Sequence, residues 1–207
     1  MVLESKQGYI LWAKNDRELP EKDEITVAEF GVSLATSSKE DAVRFIFSLA
    51  GRPESFVGVD VYMDINHREG AGVTALLGNA EASLPPADGW EFVLSNELRQ
   101  DGIWESKLIR AHLPRPIYGT VSSSSKATQD PHSTRVEVEI PKSMMGENPA
   151  QWGYLLCMRD AQGHLLDFIS PVANQYEERW RIKEIRNSAS ARGDREVILP
   201  MLRANPN

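Results

Sequence analysis

The chain has 207 residues, 41% of them hydrophobic, and a formal net charge of −7 at pH 7. That length and apolar fraction fit one large domain with a substantial core and exclude global disorder. The acidic balance, with no basic run carrying interleaved aromatics, excludes nucleic acid or an anionic membrane as the main partner, and no apolar run approaches the ~18 residues of a transmembrane segment.

The opening MVLESKQGYILWAKN has neither a basic n-region nor a long apolar h-region, so it does not read as a signal peptide. A cytoplasmic location is expected if Met1 is the native start. An extracellular or cell-surface location is expected if the chain is processed from something longer. Residues 1–24 read as an N-terminal arm, with an apolar edge strand at Tyr9–Trp12 and a charged surface loop around Pro20. Alternation predicts strands at Ile25–Leu34, through Phe30, Val32 and Leu34, and at Val43–Leu49, through Phe45 and Phe47.

The strictest alternation runs from Val57 to Ile65. Val57, Val59, Val61, Met63 and Ile65 fall on one face, and Gly58, Asp60, Tyr62 and Asp64 on the other. Two outward carboxylates and a tyrosine then meet a polar, glycine-bearing turn, Asn66–Gly72, which makes the end of this strand a candidate site.

Further strands are predicted at Trp90–Leu94, Lys107–His112, Ile117–Ser122 and Arg135–Ile140, with Ser122–Ser133 as a hairpin tip or loop. Gly153–Met158 and Leu165–Ser170 pair around the turn Asp160–Gly163. Gln175–Ile185 reads either as a short helix or as an irregular return. Val197–Leu199 and Met201–Leu202 form a last apolar segment before a tail at 203–207. About ten short strands separated by turns predict an all-β antiparallel β-sandwich, immunoglobulin-like or jelly-roll-type, over residues 25–202, with irregular N- and C-terminal arms. Its expected core includes Phe45, Phe47, Val59, Val61, Met63, Phe92, Val138 and Leu155.

Asp60, Asp64, Asn66 and Glu69 are the candidate metal ligands, because calcium is a hard cation that takes carboxylate and carbonyl oxygens. Their spacing is not that of a dedicated calcium loop, and turn capping accounts for it equally. Sugars are held by aromatic faces plus a few placed polar groups. Trp104, in QDGIWESK, and Trp180, in EERWRIK, are the candidate exposed platforms, with Tyr62 and Tyr118 beside them. Trp90 and Trp152 each open an alternating run and read as core. A haem would draw on His67, His112, His132 or His164 with Met63 or Met144, although CxxCH is absent. No GxSxG, HExxH or phosphate-binding glycine loop is present, which argues against an enzyme. The single cysteine, Cys157, excludes an intrachain disulfide and a multi-cysteine zinc site; within YLLCM it reads as a small buried hydrophobe.

The succession VDVYMDINHREGAG, DGWEFVL and RVEVEIPKSMMGENPAQWGYLLCMRDAQGHLL, followed by a tryptophan-bearing C-terminal piece, resembles the C-terminal module of glucodextranase. That module is related to DOMON-type and family-nine carbohydrate-binding sandwiches. The resemblance covers about residues 25–202 and is most specific at Tyr62-Met63-Asp64 and from Val136 to Tyr154. It implies a non-catalytic β-sandwich that binds a polysaccharide or a cell-surface glycan; DOMON relatives bind haem or sugars. A second reading is a structural or interaction subunit of a larger assembly, held through its terminal arms, because Tyr9-Ile10-Leu11-Trp12 is too apolar to stand exposed.

Overall fold

A computed structural model of the chain describes residues 1–15, 25–36, 41–51, 57–78, 81–111, 117–119, 126–130, 133–146, 148–172, 174–187 and 196–204. In chain order the strands begin with β1 (Val2–Leu3), β2 (Leu11–Lys14), β3 (Thr26–Thr36), β4 (Asp41–Ala50) and β5 (Gly58–Asp64). There follow β6 (Ala82–Ser83), β7 (Phe92–Leu98), β8 (Trp104–Arg110), β9 (Ile117–Gly119) and β10 (Lys126–Asp130). The last are β11 (Ser133–Pro141), β12 (Gly153–Arg159), β13 (Leu165–Ile169), β14 (Val197–Ile198) and β15 (Leu202–Arg203). Helix α1 (Gln175–Asn187) lies between β13 and β14. Among the described residues no helix is long and apolar enough to cross a membrane.

Two antiparallel sheets face each other, as the alternation predicts. The first has the order β1-β2-β3-β4-β11-β10; the second runs β13-β12-β5-β7-β8-β9, with β15 also paired to β12. Phe30 and Val32 of β3, Phe45 and Phe47 of β4 and Val136 and Val138 of β11 bury their side chains against Val59, Val61 and Met63 of β5. Phe92 and Leu94 of β7, Trp104 of β8 and Leu156 and Met158 of β12 complete this core. Burial at that level contributes about 1.5–3 kcal/mol for each large side chain. Asn96, a buried polar side chain in this core, is satisfied: its Nδ2 donates to Val59 O at 2.9 Å, and its Oδ1 accepts from Ser106 Oγ at 2.7 Å.

A second core lies on the opposite face of the second sheet. Tyr62, Val93, Leu155, Cys157 and Phe168 rise from the strands and are covered by Leu76, Leu84, Trp90, Ile182, Val197 and Leu199. The cover is built from residues 73–78 and 81–90, α1 and the stretch from β14 to β15. Backbone bonds tie it together: Val197 N donates to Glu81 O, Leu199 N to Ser83 O and Leu84 N to Thr74 O. The face of β5 expected to stand outward is therefore shut, and all seven residues of the strand are buried. Leu155 is core as expected, but in this second layer.

The chain ends depart from the expected irregular arms. The apolar N-terminal patch does form strand near the sheet edge, as β2, with Leu11, Trp12 and Ala13 buried. At the other end, Gln175–Asn187 takes the helical alternative. Asn174 Oδ1 accepts from Glu177 N at 3.2 Å, an N-cap bond that starts the helix, and its Nδ2 donates to Glu177 Oε2 at 3.4 Å. Part of the polar 122–133 tract, expected as a hairpin tip or loop, is strand: β10 pairs antiparallel with β11 from Lys126↔Glu137 to Asp130↔Ser133.

Candidate functional site

The four proposed metal ligands do not converge. Asp60 points into the second sheet's covered face, where Arg159 Nε donates to its Oδ2 at 2.8 Å. Arg159 Nη2 donates to Glu97 Oε1 at 2.8 Å and to Ser95 Oγ at 3.2 Å. Burial raises the Asp60 pKa, and the Arg159 charge opposes the rise without cancelling it. Glu97 is also pushed up by burial, yet its bond to Arg159 leaves it below the ordinary range.

Asp64 ends β5 and organises the following turn. Its Oδ1 accepts from Asn66 N at 3.2 Å and His67 N at 2.8 Å, while its Oδ2 meets His67 Nδ1 at 2.8 Å and Arg203 Nη2 at 3.2 Å. His67 adopts a positive φ of 52° that these bonds hold in place, and its ring also contacts the Gln151 carbonyl and Arg203. Asn66 Nδ2 donates to Glu91 Oε1 at 2.6 Å, and Glu69 is exposed. Burial lifts the Glu91 pKa. Among the described residues no three carboxylate, histidine or cysteine groups are gathered as a metal cluster. The expected four-residue calcium set is replaced by turn capping at Asp64 and an ion pair at Asp60.

The histidines expected for haem are likewise engaged. His67 is held by Asp64, and His164 Nδ1 lies 2.9 Å from Asp160 Oδ2. Met63 is fully buried between the sheets. Met144 is exposed, and His112 and His132 lie outside the described residues.

The aromatic candidates separate sharply. Trp104 is only 3% exposed, and its ring packs edge-on against Phe47 with centroids 5.6 Å apart. It is not a platform. The polar residues before it belong to the β7–β8 turn, and at Trp104 the strand alternation has begun, with Trp104 and Leu108 turned inward. Tyr62 is not a platform either: it is sealed in the second core, where its hydroxyl accepts from Leu77 N at 2.9 Å. Tyr118 sits on β9, and its side chain lies outside the described ones. Trp90 and Trp152 are buried as expected.

Trp180 is 54% exposed, and Tyr176 beside it is 71% exposed. Four residues apart on α1, they share one helix face. With Asn174 and Glu177 they line a shallow depression of about 330 Å³. The opposite face of α1 is anchored: Ile182 enters the second core, Arg179 is ion-paired with buried Asp167, and Arg186 is ion-paired with Glu81.

A family model described as the SLH-like C-terminal binding module of glucodextranase matches residues 34–200. The chain belongs to this family. No curated protein and no solved structure matches it. The matched stretch of this binding module contains the Asp64 turn, most of the second core and the whole of α1 with its exposed aromatic pair. Residues 1–33 and 201–207, Arg203 among them, fall outside the match.

Several parts of this arrangement escape a sequence reading. Tyr176 was open to detection, because it stands four residues before Trp180 in a segment compatible with a helix. Arg159, Arg179, Arg186 and Arg203 carry no local signal, since their partners Asp60, Asp167, Glu81 and Asp64 are remote in sequence.

Proposed function

We propose that this chain is a non-catalytic module that binds carbohydrate, on a polysaccharide or a cell-surface glycan, through the Tyr176–Trp180 face of α1. One observation carries this reading: two large aromatic rings stand exposed one helical turn apart on an element fastened from behind. An anchored aromatic pair offers a sugar ring an apolar platform that loses little entropy on binding. Asn174 and Glu177, in the same depression, supply an amide and a carboxylate suited to sugar hydroxyls. Membership of a binding-module family supports the same role.

The chain ends, which favoured an interaction subunit, have their own places in the domain. Leu11 and Trp12 are covered within it, and Arg203 is bonded to Asp64 and Asp88. A glycan and polysaccharide array probed with the wild-type chain and with Trp180→Ala tests the reading. Capture by the wild type and its loss in the variant are expected. A wild-type chain that captures none of the arrayed glycans contradicts it.

A further inference from the structure

The cations of α1 are all engaged. Arg179 pairs with Asp167, Arg181 with Glu178 at 3.1 Å and Arg186 with Glu81 at 2.7 Å, and Lys183 has a contact of its own. The acidic side chains of the helix are Glu177, Glu178 and Glu184. Among the described residues only Glu178 has an ion-pair partner. Glu177 and Glu184 are exposed, and the one group that reaches the Glu177 carboxylate is the neutral Asn174 amide, over a long 3.4 Å.

These two carboxylates flank Trp180. Glu177 stands three positions before it and Glu184 four after, spacings that put the three side chains along one stripe of the helix. Lys183 follows Trp180 by three positions and lies on the side of the stripe away from Glu177. The depression lined by Asn174, Tyr176, Glu177 and Trp180 holds no lysine or arginine. Glu177, in the first turn, complements the positive end of the helix. Glu184 lies in the last turn, where the helix dipole disfavours a carboxylate, so capping does not account for it. Two exposed aromatic rings between carboxylates that lack a cation make a surface complementary to a positively charged ligand.

We infer that the sugar taken by the α1 face bears a protonated amine, as the glucosamine units of a deacetylated polysaccharide do, an inference that rests on the saccharide reading of that face. The ammonium donates to Glu177 and Glu184 and lies against the Trp180 ring, while the sugar's C–H surface rests on the aromatic pair. The class of sugar is set by charge, and the platform by the rings.

The test is calorimetric titration of the full chain with glucosamine and N-acetylglucosamine oligomers of equal length. It is run at mildly acidic pH, where the amine is charged and the carboxylates are still ionised. The glucosamine oligomer should bind tighter, and the preference should vanish at alkaline pH as the amine loses its proton. Glu177→Gln and Glu184→Gln, changes at exposed positions, should each cut the preference about threefold, the scale of an exposed ion pair. Asp41→Asn, an exposed carboxylate on the first sheet, is the charge-matched control and should keep the wild-type preference. Equal or weaker binding of the glucosamine oligomer, or a full preference in both glutamate variants, would overturn the inference. So would a lysine oligomer that binds as tightly as the glucosamine oligomer, since the occupant would then be a basic peptide. If the acetylated oligomer binds as well as the free amine and both are lost in Trp180→Ala, the inference fails and the saccharide face stands. If neither oligomer binds, the inference fails, and the glycan array decides the saccharide face by itself.

Discussion

Arg186, in the last turn of α1, grips Glu81 through two hydrogen bonds, Nε to Oε1 at 2.7 Å and Nη2 to Oε2 at 3.1 Å. The two residues are 105 positions apart. The same Nη2 donates to Leu165 O at 2.6 Å, so one guanidinium joins the helix to the cover segment and to β13. A planar fork matched to a carboxylate fixes orientation as well as proximity.

Arg186→Met removes this clamp and leaves Glu81 charged and largely buried. We expect a stability loss of about 1.5–3 kcal/mol, the scale of hydrogen bonds to charged groups. A thermal melt at pH 7 checks it; an unchanged Tm would show that the Arg186 clamp is not needed to hold α1.

Most of the first core was legible because it obeys one rule. From Val57 to Ile65 every second residue is apolar, and those at 59, 61 and 63 are in the inter-sheet core. The second core was not legible, because Asp60 and Asp64 made that face of β5 look wet. Their charges are met by Arg159 and Arg203, and no local pattern announces a pairing across about a hundred residues. The run YLLCM on β12, apolar on both faces, is the sign that the second sheet is covered on both sides. At the candidate site, Trp180 was legible from its polar neighbours. The same criterion failed at Trp104, where the polar neighbours belong to a turn and the tryptophan to a strand.

Trp104→Ala separates packing from binding. Its ring fills the core against Phe47, so we expect a loss of about 3–5 kcal/mol with residual folded protein still binding through α1. Denaturant unfolding measures the loss. A fully stable variant would place Trp104 outside the core.

Arg159→Met tests the buried ion network and has a pH signature. At pH 7 it leaves Asp60 and Glu97 without their guanidinium and should cost about 3–5 kcal/mol. Burial already raises the Asp60 pKa, and without Arg159 only the hydrogen bond from Ser95 opposes that rise. A carboxyl whose folded pKa is raised contributes stability that is present at low pH and lost as pH climbs through that pKa. The variant should therefore be less destabilised, relative to wild type, at acid pH than at neutral pH. Melts across that range check it, and a deficit that grows as pH falls would contradict it.

Calcium should leave the melting temperature unchanged, as should EDTA. Asp64 already accepts two backbone N–H groups and pairs with His67 and Arg203, and Asp60 faces Arg159. A ligand that binds only the folded state raises Tm by mass action, so a rise with calcium would mean the Asp64 turn rearranges to hold it.

The central claim is tested most directly by titrating wild type and Trp180→Ala with one glycan by calorimetry, with a thermal melt of each. Trp180 is more than half exposed, and its removal opens no cavity. The account predicts affinity weaker by about 1–3 kcal/mol, on the scale known for stacking on aromatic side chains, at an unchanged Tm. Equal affinity in the two proteins, or a Tm that falls with the affinity, would contradict it.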